Sequence, residues 1–224
     1  FTRNEEAGNW GIIFFSPTST ANSIIRYAAI QYAATVRQLM DGNDFPGAVT
    51  FYKSNGKIVQ SSIKQNGKSF GTYNLGCGIV TYRCNPLISN NIISNNLEYG
   101  IWGLSDYGFA STPKIVGNFI ANNREGINII ICNPQIINNT IVNNTEKGLN
   151  ALMGNATIIN SLFWGNGGSI LSSSSTMGMS YSLVQEATMP QGVTNNGNNI
   201  FATDPTFSNG QFCELAETSP AINA

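Results

Sequence analysis

Aliphatic residues recur along this chain in pairs set five positions apart. The first members are Ile25, Ile58, Ile88, Ile115, Ile136, Ile158 and Met179, and the second are Ile30, Ile63, Ile93, Ile120, Ile141, Phe163 and Val184. The stretches between pairs vary in length while the spacing within each pair holds, which marks a repeated structural unit. Segments 86–96, 113–123 and 134–144 open on Pro86, Pro113 and Pro134 and close on an Asn-Asn pair, and 156–166 keeps the register without proline. Each is followed by a turn and a glycine: Gly100, Gly126 and Gly148 follow Gly78 at 22, 26 and 22 residues.

The polar positions repeat as well. Three residues after the first aliphatic column stand Ala28, Ser61, Asn91, Asn118, Asn139, Ser161 and Ser182; eight residues after it stand Ala33, Asn66, Asn96, Asn123, Asn144, Asn166 and Ala187. Runs of two to four β-branched and aliphatic residues, separated by Asn and Gly, read as short strands and corners. Helical repeats need ten or more residues at a 3.6 period, rich in Ala, Leu, Glu and Lys, and these units lack both. The predicted fold is all-β: one right-handed parallel β-helix of about seven coils. Asn tolerates the left-handed backbone of a sharp corner. Like amides stacked at ~4.8 Å also form hydrogen-bonded ladders, so Asn91, Asn118 and Asn139 at one corner and Asn96, Asn123, Asn144 and Asn166 at the other are expected to be structural. Residues 1–10 form an N-terminal cap in this reading, 11–187 the coils and 188–224 a closing segment, with loops at 34–46, 64–76 and 104–112. Residues 28–40 are assigned to the second strand of the first coil and an elaborated turn.

Composition narrows the partners. Charged residues are 10% of the chain and the net charge is −1, which disfavours a nucleic-acid partner, since phosphate neutralisation needs a basic patch. No apolar run approaches the ~20 residues of a membrane span. Four cysteines (Cys77, Cys84, Cys132, Cys213) lack close pairing, and there is no histidine; buried small hydrophobes account for them better than a zinc site. The chain opens at Phe1 without an initiator Met or signal-like segment, so it is expected to be a piece of a longer product.

The repeated Asn-Asn-x-Ile-x-Asn-Asn-x-x-x-Gly-Ile unit resembles that of secreted pectin-lyase-like parallel β-helix proteins. The opening at Gly8, Asn9, Trp10, Gly11 and Ile12, the segment 155–166 with Trp164, and the closing segments 181–185, 199–207 and 219–222 look like exported proteins of this type from Bacteroidota-like bacteria. The resemblance implies a β-helix that is secreted or displayed at the cell surface.

It also frames the search for chemistry. Polygalacturonase-like hydrolases on this fold use clustered aspartates, but Asp41, Asp44, Asp106 and Asp204 include no adjacent pair, and hydrolysis needs two carboxylates about one bond. Lyases on the fold use Lys or Arg as base, often with Ca²⁺; the candidates here are Arg83, Lys114 and Arg124, with Glu98, Asp106 and Glu125 as acids. Glu98, Glu125 and Glu146 all precede a coil glycine, so solvated turn charges explain them equally well. No other cofactor is implied. A binding role asks for less: the residue two beyond each coil glycine (Ile13, Val49, Val80, Trp102, Asn128, Asn150) is expected to face outward, and aromatic rings stack on sugars. The candidate carbohydrate-binding group is Tyr82, Tyr99, Trp102, Asp106 and Tyr107, with Phe109 nearby, unless loop 104–112 folds over these rings and buries them. Trp10 and Trp164 are assigned to packing. The leading expectation is a non-catalytic extracellular or cell-surface module with a structural, adhesive or glycan-binding role, its partner a polysaccharide or cell-surface glycan. The alternatives are a lyase acting on an acidic glycan and a self-assembling building block of a surface structure.

Overall fold

A computed structural model describes residues 11–33, 37–38, 44–70, 73–209 and 213–222. The proposed cap 1–10, with Trp10, and Asp41 lie outside the described residues, as does much of loop 34–46. Short strands wind into three parallel sheets of seven, eight and eight strands, and no helix occurs among the described residues. One coil shows the plan: Cys77–Tyr82 lies on the first face, Leu87–Ser89 on the second and Ile92–Ser94 on the third, before Tyr99–Leu104 begins the next rung.

The two aliphatic columns are the registers of the second and third faces. Ile25, Ile58, Ile88, Ile115, Ile136, Ile158 and Met179 pair rung to rung, and so do Ile30 through Val184. An eighth, partial rung follows within the closing segment, where Asn195 pairs with Met179 and Phe201 with Val184. The third wall of the core is Ile13, Val49, Ile79, Ile101, Ile127, Leu149 and Ile170 on the first face. Most of these side chains have no exposed surface, each contributing roughly 2 kcal/mol of apolar burial. Ile13 and Val49 therefore point inward, and the outward column is Phe14, Thr50, Val80, Trp102, Asn128, Asn150 and Leu171. The expectation slipped by one residue in the first two coils because it was anchored on Gly11 and Gly47. Register puts Ile12 and Ala48 where later coils have glycine, and a shift of one residue exchanges the faces of a strand.

The corners divide labour between the two asparagines of each pair. The first takes the left-handed conformation: Asn90, Asn95, Asn122, Asn138 and Asn143 have φ of 55, 55, 56, 56 and 55°. The second turns inward and builds the ladder. At the corner between the third and first faces, the Nδ2 groups of Asn66, Asn96, Asn123 and Asn144 donate to Oδ1 of the asparagine one rung on, at 2.9, 3.0, 3.2 and 2.9 Å. Each also reaches back to a carbonyl of the preceding rung, as Asn123 Nδ2 does to Ile93 O at 3.2 Å. The other ladder runs through Asn91, Asn118 and Asn139 and ends on Ser161, Ser182 and Asn199. Each buried amide is thus bonded both to its neighbour in the ladder and to a strand carbonyl of the preceding rung, as burial requires. The coil glycine belongs to the same arrangement: a Cβ at Gly100 would lie 2.6 Å from Gly126 O and 3.0 Å from Asn123 Nδ2, so a side chain there would displace the ladder.

After the eighth rung the chain turns back along the outer side of the third face. Cys213, with Phe207, Leu215 and Ala221, packs over Ala121, Val142, Leu162 and Leu183, and Phe207 bridges Leu215 in antiparallel fashion. This closing strap also takes in Trp164, one of the tryptophans assigned to packing.

Candidate functional site

Outward side chains of the first face fall into two stretches. Toward the N-terminal rungs, Tyr52 and Tyr82 stack at 5.4 Å and the Phe45 ring lies against both at 5.9 and 5.1 Å. Val80, Cys77 and Phe45 are buried there. Toward the C-terminal rungs the face opens: Trp102 and Asn150 are half-buried and Leu171 is 46% exposed. The candidate site lies at the boundary, where Tyr99 and Trp102 sit 5.7 Å apart between ring centroids.

Next to these rings is a carboxylate held in place by amides. Glu125, paired with Tyr99 across the rung, is 5% exposed. Its Oε2 accepts from Asn128 Nδ2 at 2.7 Å and its Oε1 from Asn150 Nδ2 at 2.9 Å. Both amides are fixed with their nitrogen toward the carboxylate, which leaves their carbonyl oxygens for the solvent side. Indole Nε1 of Trp102 has no partner among the described residues. Burial, and then the negative charges of Glu125 and Glu98, push the Tyr99 hydroxyl up to about 12, so Tyr99 is a neutral hydrogen-bonding group at physiological pH.

The charged residues beside this patch pair with one another. Arg124 donates from Nη1 to Glu98 Oε2 at 2.7 Å and from Nε to Glu146 Oε1 at 2.9 Å. Glu98, Arg124 and Glu146 hold the same place on successive rungs, an alternation of charge that contacts between like residues would not permit. The hydrogen bonds to Glu146 and Glu98 raise the guanidinium pKa further, which opposes a role as a proton-accepting base. By sequence Glu98 and Arg124 are lyase candidates and Glu98, Glu125 and Glu146 solvated turn charges; in the structure Glu98 and Glu125 are buried, and Glu98, Arg124 and Glu146 form one ion-paired stack.

Arg83 stands at the other end of its strand. It pairs with Asp106 and lies over the Phe109 ring at 4.1 Å and the Tyr82 ring at 5.2 Å, while Tyr82 Oη donates to Asp106 Oδ2 at 2.7 Å. Asp106 therefore fastens loop 104–112 to the sheet. The loop does not bury the aromatic group: Tyr107 is 76% and Phe109 53% exposed. Tyr82, by contrast, is 6% exposed, so it supports the patch and offers a ligand no surface. Lys114 is exposed on the second face, paired with Leu87 and Gln135, away from both arginines. The structure thus brings Tyr99, Trp102 and Glu125 together and leaves Arg83, Lys114 and Arg124 apart. Among the described residues no three His, Cys, Asp or Glu side chains converge on a possible metal position.

Three-faced coils in parallel register, closed by inward asparagine ladders, define this molecule as a right-handed parallel β-helix with an open patch on one face. The chain belongs to the right handed beta helix region family, whose model matches residues 19–163, more than half of its length. No curated protein and no solved structure matches it.

Proposed function

We propose that the protein is a non-catalytic β-helix module, working outside the cell or on its surface, that holds a polysaccharide against the open part of its first face. The observation that carries this reading is the juxtaposition of two partly exposed aromatic rings and two amides oriented by one buried carboxylate. Rings supply a flat apolar platform for the C–H face of a sugar, and fixed amides supply hydrogen bonds to hydroxyls. Successive rungs repeat at ~4.8 Å, so a chain laid along the stack meets Trp102 and, two rungs on, Asn150, while the buried Asn128 between them holds Glu125 in place. The ion pairs of Arg83 and Arg124 favour a binding role over the lyase alternative, since neither arginine is poised to take a proton. Three of the four thiols tolerate an oxidising compartment: burial pushes Cys77, Cys84 and Cys132 up to about 12, 11 and 12, and a protonated buried thiol is inert.

A panel of plant, fungal and bacterial polysaccharides, read by affinity electrophoresis and calorimetry, tests the reading. The expected result is binding of at least one polymer, weakened about tenfold or more by Trp102→Ala, a loss of ~1.4 kcal/mol. Binding unchanged by Trp102→Ala would overturn it. So would unsaturated product from a uronate polymer that disappears in Arg124→Ala or Arg83→Ala.

A further inference from the structure

We propose a second ligand site, distinct from the first face: a cleft at the corner between the second and third faces that takes one or two units of an uncharged sugar. The cleft has a volume of about 250 Å³. One wall is the corner itself, where Asn138, Asn160 and Tyr181 occupy successive rungs with φ of 56, 47 and 52°. That conformation turns their side chains outward, one above the next. The opposite wall is Leu215 and Ala221 of the closing strap. Elsewhere along this corner, Tyr27 and Asn90 hold equivalent places on earlier rungs and are not among the residues that line the cleft. It is the strap that converts an exposed row of amides into an enclosure.

The chemistry of the lining selects the ligand. Asn160 Nδ2 donates to Asn138 Oδ1 at 2.8 Å, a bond that does not use the Asn138 amide hydrogens or the Asn160 carbonyl oxygen and so keeps them for a ligand. The neighbouring inward residues do not compete, because Asn139, Ser161 and Ser182 are committed to the ladder. Tyr181 is 49% exposed at one end of the row, a ring on which an apolar sugar face can rest. Among the described residues no Lys, Arg, Asp or Glu lines the cleft. A uronate would therefore shed its water with no cation to compensate, and a purely apolar molecule would leave the amides without partners. A neutral ring with an apolar face and a hydroxyl rim satisfies both walls. The volume, just below the usual range of small-molecule sites, limits it to one or two sugar units.

The site lies across the coil from Trp102, so the two readings fail separately. The test is a titration of the full ¹⁵N-labelled chain with xylobiose, cellobiose, maltose and di-N-acetylchitobiose, with digalacturonate as the charged control. At least one neutral disaccharide should shift the Asn138, Asn160 and Tyr181 resonances. Its affinity should fall about tenfold or more in Tyr181→Ala and stay unchanged in Trp102→Ala. Should Tyr181→Ala disturb the fold, Asn160→Gly carries the same test, because glycine keeps the left-handed backbone and removes the amide. The proposal is overturned if no neutral disaccharide perturbs these residues, if digalacturonate binds there as tightly, or if the folded cleft variant binds unchanged.

Discussion

The outer sides of the first and third faces begin from similar material and end differently. Both carry apolar residues on neighbouring rungs: Leu104, Ile130 and Leu152 on the first, Ala121, Val142 and Leu162 on the third. On the third face the chain returns and covers them with its own closing strap. On the first face Phe45 lies over the N-terminal rungs, and past the half-buried Trp102 and the buried Asn128 the sheet is open, with Leu152 39% and Leu171 46% exposed. The coil architecture is the same beneath both, so exposure is decided by where excursions and strap are laid. An open stretch that mixes indole, amide and carboxylate is what a binding surface requires, whereas the covered stretch is a second core.

The strongest way to break this comparison is a charge beneath the strap. Leu183 is 3% exposed against the strap, and Leu183→Asp should cost about 3–5 kcal/mol, seen as a lower urea midpoint, because the carboxylate is buried without a partner. An unchanged midpoint would mean that the strap does not cover this face. Next comes Asn123→Ala, at the corner the two faces share. Removing an amide that links Ile93 O, Asn96 and Asn144 should cost roughly 2–3 kcal/mol. Amide exchange should then rise on both faces together; a rise on one face alone would place the difference in the frame and not in the cover.

The thiols sharpen the comparison further, because Cys77 lies in the covered cluster of the first face and Cys213 in the strap. Cys213 should react first with a thiol reagent, without loss of sheet signal, if the strap opens locally. Leu183→Asp should hasten Cys213 and leave Cys77 protected. The raised pKa values add a pH dependence: Cys77 goes from 9.0 to about 12. The unfolded thiol then gives up its proton before the folded one, so stability is constant below pH ~9 and falls above it by about 1.4 kcal/mol per pH unit for each such thiol. Denaturation midpoints between pH 8 and 11 measure this, and a flat profile would contradict the burial. The smallest effect belongs to the open face: Leu171→Asp should change stability by no more than about 0.5 kcal/mol.

The core was more legible than the site. Ile58, Ile88 and Ile115 announce their column because an inward position on every rung admits only an apolar side chain. The first-face strand was harder to place in the early coils, since Ile12 and Ala48 stand where glycine marks the later ones. The left-handed corner residues were missed by one position, because Asn90 and Asn91 are the same residue type in opposite roles and only backbone geometry separates them. The strap left a faint signal, as Ala121, Val142, Leu162 and Leu183 are apolar where the alternation predicts an outward side chain. What covers them lies outside the repeat and has no period to read. At the site, Trp102 and Tyr99 were visible as outliers, whereas the clamp of Asn128 and Asn150 on Glu125 depends on which residues become neighbours across rungs.

The rung-to-rung registry also makes length an inheritable variable. Residues 113–133 run from one coil proline to the residue before the next, Pro134. A gene that lost this stretch would place Ile136 over Ile88, Ile141 over Ile93 and Asn139 over Asn91, with both ladders unbroken. Growth and shrinkage in whole turns are therefore changes the fold can accept in one step, as are a few residues in a loop between faces, whereas a deletion inside a strand or between the two aliphatic columns breaks the register.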